Sequence, residues 1–292
     1  MVVSHILGGI GNQMFQYAAG RALSLANGEL FLLDLNDFSG YQLHNGFELS
    51  RVFRVNTETA PTSTLHEMLG WRANPLAKRV LRRPQFAWLR DGKFTAEPYF
   101  NYWPGFVNQK GDCYLYGYWQ SEKYFQSVAS TIRGDFAFRT PLGGKNAELA
   151  SEIADSQAVS LHVRRGDYVT NPKNRSLLAV CSIDYYRRAI DHVAGRVEHP
   201  VFYVFSDDME WVRQNLSVGF PCVYVDHNSG DESFRDMQLM SLCRHNIIAN
   251  SSFSWWGAWL NANPKKLVIA PRSWFRNGNN DADLIPAEWV RF

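Results

Sequence analysis

The sequence predicts an α/β protein made of two Rossmann-like halves, and three features support this prediction. Near the start, an apolar segment at 2–7 leads through a glycine-rich turn and a helix-spaced segment to a second apolar segment at 29–35. Beyond residue 155, strand-like and helix-like segments alternate, as in a doubly wound sheet. Between these regions, Pro141, Gly143 and Gly144 interrupt the pattern. We therefore predict domains over residues 1–150 and 151–292.

The length and composition of the chain limit the kinds of protein that it can be. A chain of 292 residues with 46% hydrophobic content can form one large core or two ordinary ones. The formal net charge of +2 gives no reason to expect a nucleic-acid partner. The four cysteines lack CxxC spacing, which suits reduced thiols in a cytosolic chain. We see neither a signal-peptide pattern nor an apolar run that could span a bilayer, so we expect a cytoplasmic location.

The individual elements follow from apolar periodicity. In the first half, strands are predicted at 2–7 and 29–35 with a helix at 14–26; residues 38–70 are mixed and remain unassigned, and residues 94–126 hold many aromatic residues. In the second half, the pattern predicts strands at 159–164, 201–206, 222–226, 246–249 and 267–271, and helices at 184–195, 208–216, 232–243 and 254–262. Asp207 and Asp208 are interpreted as caps of the helix at 208–216.

The segment VSLHVRRGDY at 159–168 places two arginines at the end of a predicted buried strand. In open α/β sheets, ligands bind outside the carboxyl ends of the strands. Arg164 and Arg165 would suit a phosphorylated ligand there, because a guanidinium grips phosphate oxygens with two parallel hydrogen bonds. The alternative is a solvated loop without function.

The segment GGIGNQ at 8–13 forms a strand-to-helix turn. Its glycines would let the backbone approach a phosphate or a sugar, and the following helix start favours an anion. Asp34 then stands where a dinucleotide-binding fold has its ribose acid, but Met14 replaces the third glycine of that motif. A nicotinamide site and a turn needed only for packing both remain as alternatives.

The segment NSSFS at 250–254 follows another predicted buried strand and opens a helix. Serines at a helix start are caps by default, yet this run offers more hydroxyl and N–H groups than capping needs and would hold a diphosphate. Trp255, Trp256 and Trp259 are interpreted as core residues.

Isolated acidic residues are harder to interpret. Asp236 lies beside an apolar stripe of its helix, where it either faces solvent or accepts from two donors of a nucleobase. Asp281 and Asp283 form a DxD pair in an asparagine-rich stretch, which we interpret as a surface loop. The eight histidines show no ligand spacing, so no metal site is predicted.

Four of these segments resemble the bacterial α-1,2-fucosyltransferases of glycosyltransferase family 11. They are GGIGNQMFQYAAGRAL at 8–23, HVRRGDY at 162–168, FSDDMEWV at 205–212 and DMQLMSLCRHNIIANSSFSWWGAWLN at 236–261. The resemblance implies a GT-B-like architecture of two Rossmann-like halves facing across a cleft, with the N-terminal half on the acceptor side. It also implies metal-independent, inverting transfer of fucose from GDP-fucose to the 2-hydroxyl of a galactose, without a cofactor.

The resemblance also implies roles for individual residues. Arg164 would hold the donor β-phosphate, His162 would lie near the nucleotide, Asp236 would recognise guanine, and Asn12 would lie close to the reacting centre. Asp167 is the nearest candidate for the base that deprotonates the acceptor, unless Asn12 merely orients the hydroxyl. The remaining residues predicted to bind the donor or the acceptor substrate are Arg165, Asn250, Ser251, Ser252, Phe253, Gly9, Gly11 and Gln13.

Residues 71–90 form a basic stretch. A solvated helix is one interpretation, and attraction to anionic lipid is the other. The second would suit a cytosolic enzyme that acts on a lipid-linked, galactose-terminated glycan at the inner membrane. Two further hypotheses for the whole protein are a nicotinamide-dependent oxidoreductase and a non-catalytic glycan-binding module.

Overall fold

A computed structural model describes residues 1–40, 45–171, 179–276 and 280–292, without the side chains of Asp167 and Thr170. The chain forms two compact units, Met1–Arg139 with Ala282–Leu284, and Thr140–Asp281 with Ile285–Phe292. The division lies earlier than the predicted boundary at residue 150. The reason is the helix Lys145–Ala154, which buries Leu149 and Ile153 in a core of the second unit.

The first unit is built on a parallel four-stranded sheet with the order β2-β1-β4-β3. Its strands are β1 Val2–His5, β2 Phe31–Asp34, β3 Phe94–Ala96 and β4 Cys113–Tyr116. Its helices are α1 Ile10–Asn27, α2 Leu49–Val52, α3 Thr62–Leu69, α4 Pro75–Leu81 and α5 Ala129–Asp135. Short 3₁₀ helices include Asn36–Gly40, Gly70–Ala73, Pro84–Leu89, Pro104–Asn108, Glu122–Tyr124 and Gln126–Val128.

Helix α1 begins earlier than the sequence predicts. It starts at Ile10 rather than at residue 14, so Gly11, Asn12 and Gln13 lie in its first turn. Residues 6–9 form the connection from β1, and Gly8 within it has a φ of 89°, which side chains rarely tolerate. Residues 10–13 of the glycine-rich segment therefore form the first turn of α1 and not a loop.

The strand β2 ends in a buried ionic cluster. Asp34 is 1% exposed, and its Oδ2 accepts from Lys78 Nζ of α4 at 2.5 Å and from the Tyr114 hydroxyl at 2.6 Å. Burial raises the pKa of Asp34, but the charge and hydrogen bond of Lys78 and the bond from Tyr114 outweigh it, so the pKa lies below its usual value. Because its own chain saturates this carboxylate, Asp34 cannot serve as the ribose acid of a nicotinamide site.

The second unit is built on a parallel six-stranded sheet with the order β10-β9-β8-β5-β6-β7. Its strands are β5 Gln157–Val163, β6 Pro200–Ser206, β7 Cys222–Val225, β8 His245–Ile247, β9 Val268–Ala270 and β10 Val290–Arg291. Its helices are α6 Lys145–Ala154, α7 Gly166–Thr170, α8 Ile183–Ala194, α9 Met209–Asn215, α10 Phe234–Leu242 and α11 Ser252–Leu260, with a 3₁₀ helix at Gly230–Glu232.

This strand order contains a switch point. The chain runs outward from β5 through β6 to β7, and then returns to build β8, β9 and β10 on the other side of β5. The direction therefore reverses between β5 and β8, which pair in parallel with Leu161 opposite Ile247. Ligands of doubly wound sheets bind at the carboxyl ends of the two strands that flank such a reversal. The loops that follow β5 and β8 are those predicted to bind phosphate.

Helix α11 forms part of the core of the second unit. Trp255, Trp256 and Trp259 are 0%, 0% and 4% exposed, which confirms their prediction as core residues. Among the helices that the structure describes, none is both long enough and apolar enough to cross a bilayer.

The cluster at Asp34 predicts an asymmetric response to mutation. Lys78→Met leaves Asp34 buried without its counter-charge, so we expect the free energy of unfolding to fall by about 3–5 kcal/mol. Because the pKa of Asp34 is depressed, this stabilisation is present above the ordinary aspartate pKa and is lost as the pH falls. Urea unfolding at neutral pH measures the change.

Arg79→Met on the same helix is the matched control, since Arg79 is exposed. It should change stability by less than about 0.5 kcal/mol. Adding Asp34→Asn to Lys78→Met should recover part of the loss. Similar losses in the Lys78 and Arg79 variants would contradict a structural role for the buried pair.

Candidate functional site

The arginine loop, residues 164–166, leaves β5 at the switch point. The register of β5 and β6 pairs Val163 with Ser206, so the next residues, Arg164 and Asp207, leave the sheet side by side. Arg164 Nη1 lies 3.1 Å from Asp207 Oδ2, and 26% of the Arg164 side chain is exposed. The Arg164 guanidinium carbon also lies 5.5 Å from the centre of the Tyr168 ring. These contacts hold the planar donor fork in one orientation, as phosphate binding requires.

Arg165 is turned towards helix α9. Its Nε lies 3.4 Å from Asp208 Oδ2, and its guanidinium carbon lies 3.7 Å from the centre of the Trp211 ring. Its main-chain N–H donates to Asp207 Oδ1 at 2.9 Å. The structure thus gives Arg165 packing contacts, and its predicted contact with the donor stays a prediction.

Asp208 alone caps α9. It accepts from the N–H of Trp211 at 3.3 Å, whereas both oxygens of Asp207 are directed at the arginine loop. The prediction that Asp207 is a cap is therefore wrong, because strand register places it beside Arg164. A Cβ on Gly166 would lie 2.5 Å from Asp207 Oδ2, so the glycine of the RRGD motif makes room for this carboxylate.

Asn250 ties the end of β8 to neighbouring segments. Its Nδ2 donates to the carbonyls of Ala179 and, at 3.0 Å, of Trp274, while its Oδ1 accepts from Cys181 Sγ at 3.5 Å. Its own carbonyl accepts from the Tyr168 hydroxyl at 2.9 Å, which joins the loops after β5 and β8. A donor contact through the Asn250 side chain would require these bonds to break.

The start of helix α11 offers hydrogen-bond donors at the same sheet edge. Ser251 occupies the N-cap position but makes no side-chain capping bond. Within the described parts of the chain, no partner accepts from or donates to the hydroxyl of Ser251 or Ser252. The first N–H groups of a helix also lack partners within the helix, and together with the helix dipole they favour an anion. Phe253, partly buried, packs against the core behind this turn.

His162 lies beneath the loop as a neutral side chain. It is 4% exposed, and its ring centre lies 5.9 Å from that of Phe253. Burial, followed by the nearby charge of Arg164, lowers the pKa of His162 to about 3. Its Nδ1 is buried and has no hydrogen-bond partner among the described residues. His162 therefore adds no positive charge at neutral pH, but it retains an unused polar atom.

Asp236 lies in the first turn of α10 and belongs to a polar network. Asn228 Nδ2 donates to Asp236 Oδ1 at 2.8 Å, and Asn228 exchanges hydrogen bonds with Asn146, which also contacts His227 Nε2 at 2.9 Å. Burial raises the pKa of Asp236 to about 7, against the lowering effect of the Asn228 bond. The carboxyl is therefore only partly ionised at neutral pH, unlike a solvated aspartate. The predicted alternative of a solvated flank does not fit this environment.

Gln13 is used within the first unit. Its Nε2 donates to the carbonyls of Gly8 and Gly46, both at 2.8 Å, and its Oε1 accepts from the N–H of Glu48 at 3.0 Å. The carbonyl of Gly9 accepts from the N–H of Gln13 at 3.1 Å, and Gly11 is buried in the same helical turn. The Gln13 side chain therefore links the glycine-rich segment to the loop before α2 by hydrogen bonds.

Asn12 has a different environment. Its Oδ1 accepts from Gln120 Nε2 at 2.6 Å, and the side chain is only partly buried. A Cβ on Gly8 would lie 2.9 Å from Asn12 Nδ2, so the glycine leaves space for this amide. In the described part of the chain, nothing accepts from Nδ2, which leaves a positioned donor suited to a hydroxyl.

Glu97 and Gln120, neither of which was predicted as a site residue, support Asn12. Glu97 follows β3, and its carboxylate accepts from the N–H groups of Tyr118 at 2.7 Å and Trp119 at 3.0 Å. Burial raises the pKa of Glu97 to about 7, although both bonds act in the opposite direction. Trp119 has a φ of 55°, so Glu97 stabilises the turn that brings Gln120 to Asn12. Sequence offered no signal for either residue, because β3 and β4 were not recognised.

Three further aspartates, Asp167, Asp281 and Asp283, were interpreted from the sequence. Asp167 belongs to α7, but its side chain lies outside what the structure describes. Asp281 accepts from the N–H of Trp274 at 2.7 Å and from Arg291 at 2.8 Å, and Asp283 pairs with Lys123. Both aspartates form ion pairs; residues 280–284 belong to no helix or strand, as predicted for a loop, and residues 277–279 of the same stretch lie outside the described residues. The described residues contain no cluster of three or more histidine, cysteine, aspartate or glutamate side chains suited to a metal ion.

The site residues fall into two groups. Arg164, Arg165, His162, Asn250, Ser251, Ser252 and Phe253 share the carboxyl edge at the switch point of the second unit. Gly9, Gly11, Asn12 and Gln13 share the carboxyl edge of the first sheet. Asp236 stands apart from the arginine loop on α10, which packs against α11.

Comparison with known proteins settles the family. The model of glycosyl transferase family 11 matches residues 88–291, which is more than half of the chain. The chain belongs to glycosyl transferase family 11. It is 36% identical to an alpha-1,2-colitosyltransferase of Escherichia coli, covering 100% of this chain and 98% of that one. It is 34% identical to the O-antigen biosynthesis glycosyltransferase WbnK of Escherichia coli, covering 98% and 99%.

A more distant relative carries the predicted activity in its name. The chain is 29% identical to a galactoside alpha-(1,2)-fucosyltransferase 1 of Plecturocebus brunneus, over 87% of this chain and 63% of that protein. Among solved structures, it resembles the NodZ alpha-1,6-fucosyltransferase soaked with GDP-fucose, with a TM-score of 0.53 at 15% identity, covering 89% of this chain and 91% of that one. This likeness confirms the predicted GT-B-like fold with two Rossmann-like halves.

The contact between Gly166 and Asp207 predicts the effect of one added methyl group. In Gly166→Ala, the Cβ would displace the Asp207 carboxylate from Arg164 without filling a core. We expect a folded protein whose glycosyl transfer falls about tenfold or more, since a hydrogen bond to a charged group is worth about 1.5–3 kcal/mol. Transfer rates and melting curves measure the two effects. Gly143→Ala in the same unit is the control, because a Cβ there meets nothing within 4 Å. Equal activity of the two variants would refute the role of Asp207.

Proposed function

We propose that this protein transfers L-fucose from GDP-fucose to the 2-hydroxyl of a galactose residue in a glycan, with inversion at the anomeric carbon. Membership of family 11 supports glycosyl transfer. The α-1,2 linkage is supported by the names of two relatives, a colitosyltransferase and a galactoside fucosyltransferase. The observation that carries the proposal is the oriented Arg164, held by Asp207 at the switch point that also carries the start of α11.

On the donor side, the protein must stabilise the negative charge that develops on the leaving nucleotide. As the bond to fucose breaks, negative charge grows on the β-phosphate of GDP while the sugar becomes oxocarbenium-like. Arg164, the N–H groups at the start of α11 and the hydroxyls of Ser251 and Ser252 would neutralise that charge. The proposal assigns this task to protein groups alone and requires no metal and no cofactor.

Asp236 is proposed to recognise the base. Guanine presents an N–H and an exocyclic amine on one edge, and a carboxylate accepts from both, whereas adenine does not offer this pair of donors. Asn228 occupies Oδ1 of Asp236 at 2.8 Å and so orients the carboxylate. Ionisation of a carboxyl whose pKa lies near 7 would accompany guanine binding.

On the acceptor side, the first unit is proposed to hold the galactose. Asn12 Nδ2 would orient the acceptor 2-hydroxyl, because Gln120 already fixes the other end of the amide. Asp167 remains the proposed base by its position in the motif. The alternative is that no side chain acts as a base, so that Asn12 only orients the hydroxyl and its proton passes to solvent once the bond to the sugar has formed.

Colitose is a second candidate donor sugar. The relative with 36% identity over the whole chain is a colitosyltransferase, whereas the fucosyltransferase named above shares 29%. Colitose is fucose without its 3-hydroxyl, so both sugars would present the same leaving group to Arg164. A site that hydrogen-bonds the 3-hydroxyl would reject colitose strongly, whereas a site lined by apolar groups would not.

The acceptor is proposed to be a surface glycan under assembly on a lipid, at the cytoplasmic side of the inner membrane. The relationship to an O-antigen biosynthesis glycosyltransferase supports this proposal. The proposed function is tested by incubating the protein with GDP-fucose or GDP-colitose and a panel of β-galactosides, and by assigning any new linkage by NMR. An arm with EDTA tests the proposed independence from metal. Failure of both donors with every galactoside would overturn the proposal.

Arg164→Lys tests the role of the guanidinium. Lysine keeps the positive charge but loses the bidentate fork, so we expect transfer to fall at least about a hundredfold with unchanged melting. Arg213→Lys is the control, because Arg213 forms an exposed ion pair with Asp226 in the same unit. Near-normal turnover by folded Arg164→Lys would remove Arg164 from the mechanism.

Asp236→Asn tests base recognition. Asparagine would present a donor to one of the guanine donors, and such a buried mismatch costs about 1–3 kcal/mol. We expect GDP to bind roughly tenfold to a hundredfold more weakly, with a reduced preference for GDP over ADP. Calorimetric titration of both nucleotides measures these changes. Asp231→Asn, at an exposed position nearby, is the control.

The same titration has a pH signature. Because the pKa of Asp236 is raised to about 7, the free protein must lose a proton to bind guanine below that pH. Affinity for GDP should therefore fall by up to tenfold for each unit below about pH 7. The nucleotide phosphate also titrates in this range, so the difference between wild type and Asp236→Asn is the relevant quantity. Identical pH profiles of the two proteins would argue against Asp236 as the base-binding residue.

A further inference from the structure

The stretch 70–90 carries charge of one sign only. It contains six basic residues and no acidic residue, in a chain whose formal net charge is +2. In the structure it forms three consecutive short helices, Gly70–Ala73, Pro75–Leu81 and Pro84–Leu89, which we call the basic platform. No part of the proposed transfer reaction uses these residues.

Three of the six basic side chains hold the platform together. Lys78 pairs with Asp34 beneath it. Arg72 Nε donates to the carbonyl of Leu89 at 2.8 Å, which joins the first helix to the end of the third. Arg90 Nε donates to the carbonyl of Leu81 at 2.7 Å, which joins the end of the third helix to that of the second. The three helices therefore form one cross-tied unit.

The other three arginines, Arg79, Arg82 and Arg83, are exposed. On α4, Leu76, Arg79 and Val80 follow the spacing i, i+3 and i+4, which places them on one face, and Arg82 and Arg83 follow directly after the end of the helix. Lys78 and Leu81 occupy the opposite, buried face of that helix. The outward face thus combines Arg79 with two aliphatic side chains, and two further exposed arginines follow at its end.

Large apolar side chains extend this surface. Leu76 is 69% exposed and Val80 is 40% exposed, while Trp71 on the preceding helix and Trp88 on the following one are 56% and 77% exposed. Exposing tryptophan side chains to water to this extent is energetically unfavourable, and burying them in a binding interface would remove this cost. The platform is therefore both apolar and uniformly basic.

We propose that the basic platform docks onto the surface of an anionic phospholipid bilayer. Arginines are attracted to anionic head groups, tryptophans favour the membrane interface, and aliphatic side chains enter the acyl boundary. Residues 70–90 contribute no acidic side chain; Asp91 pairs with Arg72, and Asp37 lies near enough to Lys78 and Arg79 to interact with their charges. This docking is independent of the transfer reaction, since none of its residues is placed in the catalytic machinery.

Co-sedimentation with vesicles tests this proposal. Full-length protein should bind vesicles of phosphatidylcholine mixed with phosphatidylglycerol, bind vesicles of phosphatidylcholine alone far more weakly, and dissociate as salt rises. Replacing Arg79, Arg82 and Arg83 with glutamine should lower the partition coefficient about a hundredfold. Replacing Trp71 and Trp88 with serine should also weaken binding while leaving its salt dependence in place.

The matched control replaces Arg187, Arg188 and Arg196 with glutamine, since these are exposed arginines of the second unit. This control should bind anionic vesicles as the wild type does. Absence of binding to anionic vesicles, or equal losses in the control and platform variants, would overturn the proposal. Binding of an acidic protein by the platform without binding to vesicles would likewise overturn it. Both triple variants should transfer sugar to a soluble galactoside at the wild-type rate, which separates this test from that of the proposed function.

Discussion

The interaction on which the proposed donor site depends is the one between Asp207 and the arginine loop. Both carboxylate oxygens of Asp207 are used, one by the side chain of Arg164 and the other by the main-chain N–H of Arg165. The pairing of Val163 with Ser206 brings these residues together, because parallel strands in register end at the same level. Arg165 is held separately by Asp208 and the Trp211 ring, so the Asp207 carboxylate chiefly orients Arg164. With it, Arg164 has a defined direction before any ligand arrives.

The motif residues divide into those that build the frame and those that remain available for chemistry. The amides of Gln13 and Asn250 are saturated by carbonyl and N–H groups of their own units. In contrast, Asn12 Nδ2 and the hydroxyls of Ser251 and Ser252 retain hydrogen-bonding capacity at the same sheet edges. Such a division is physically reasonable, because a ligand-binding group is precise only when its neighbours are locked by their own hydrogen bonds.

Burial shifts the pKa of the side chains of Asp236, Glu97 and His162 in this protein. Desolvation raises the pKa of Asp236 and of Glu97 to about 7 and lowers that of His162 to about 3. Each of these side chains lies close to a carboxyl end of a parallel sheet, where a protonation change would be felt by a bound ligand. Asp34, in contrast, keeps a lowered pKa despite its burial, because Lys78 supplies a counter-charge and a hydrogen bond.

The sequence by itself determined the two Rossmann-like halves, the family resemblance and the strand ends that carry Arg164 and Ser252, because periodicity and motif order are local properties. It also predicted the buried tryptophans of α11 correctly. It missed β3 and β4, since strands of three and four residues are too short to show a period. Only the tertiary structure decided that Asp207 serves Arg164 rather than a helix end, that Lys78 is an internal counter-ion, and that Glu97 and Gln120 support Asn12. These assignments depend on which distant segments meet, and that is set by sheet order and register rather than by any local pattern.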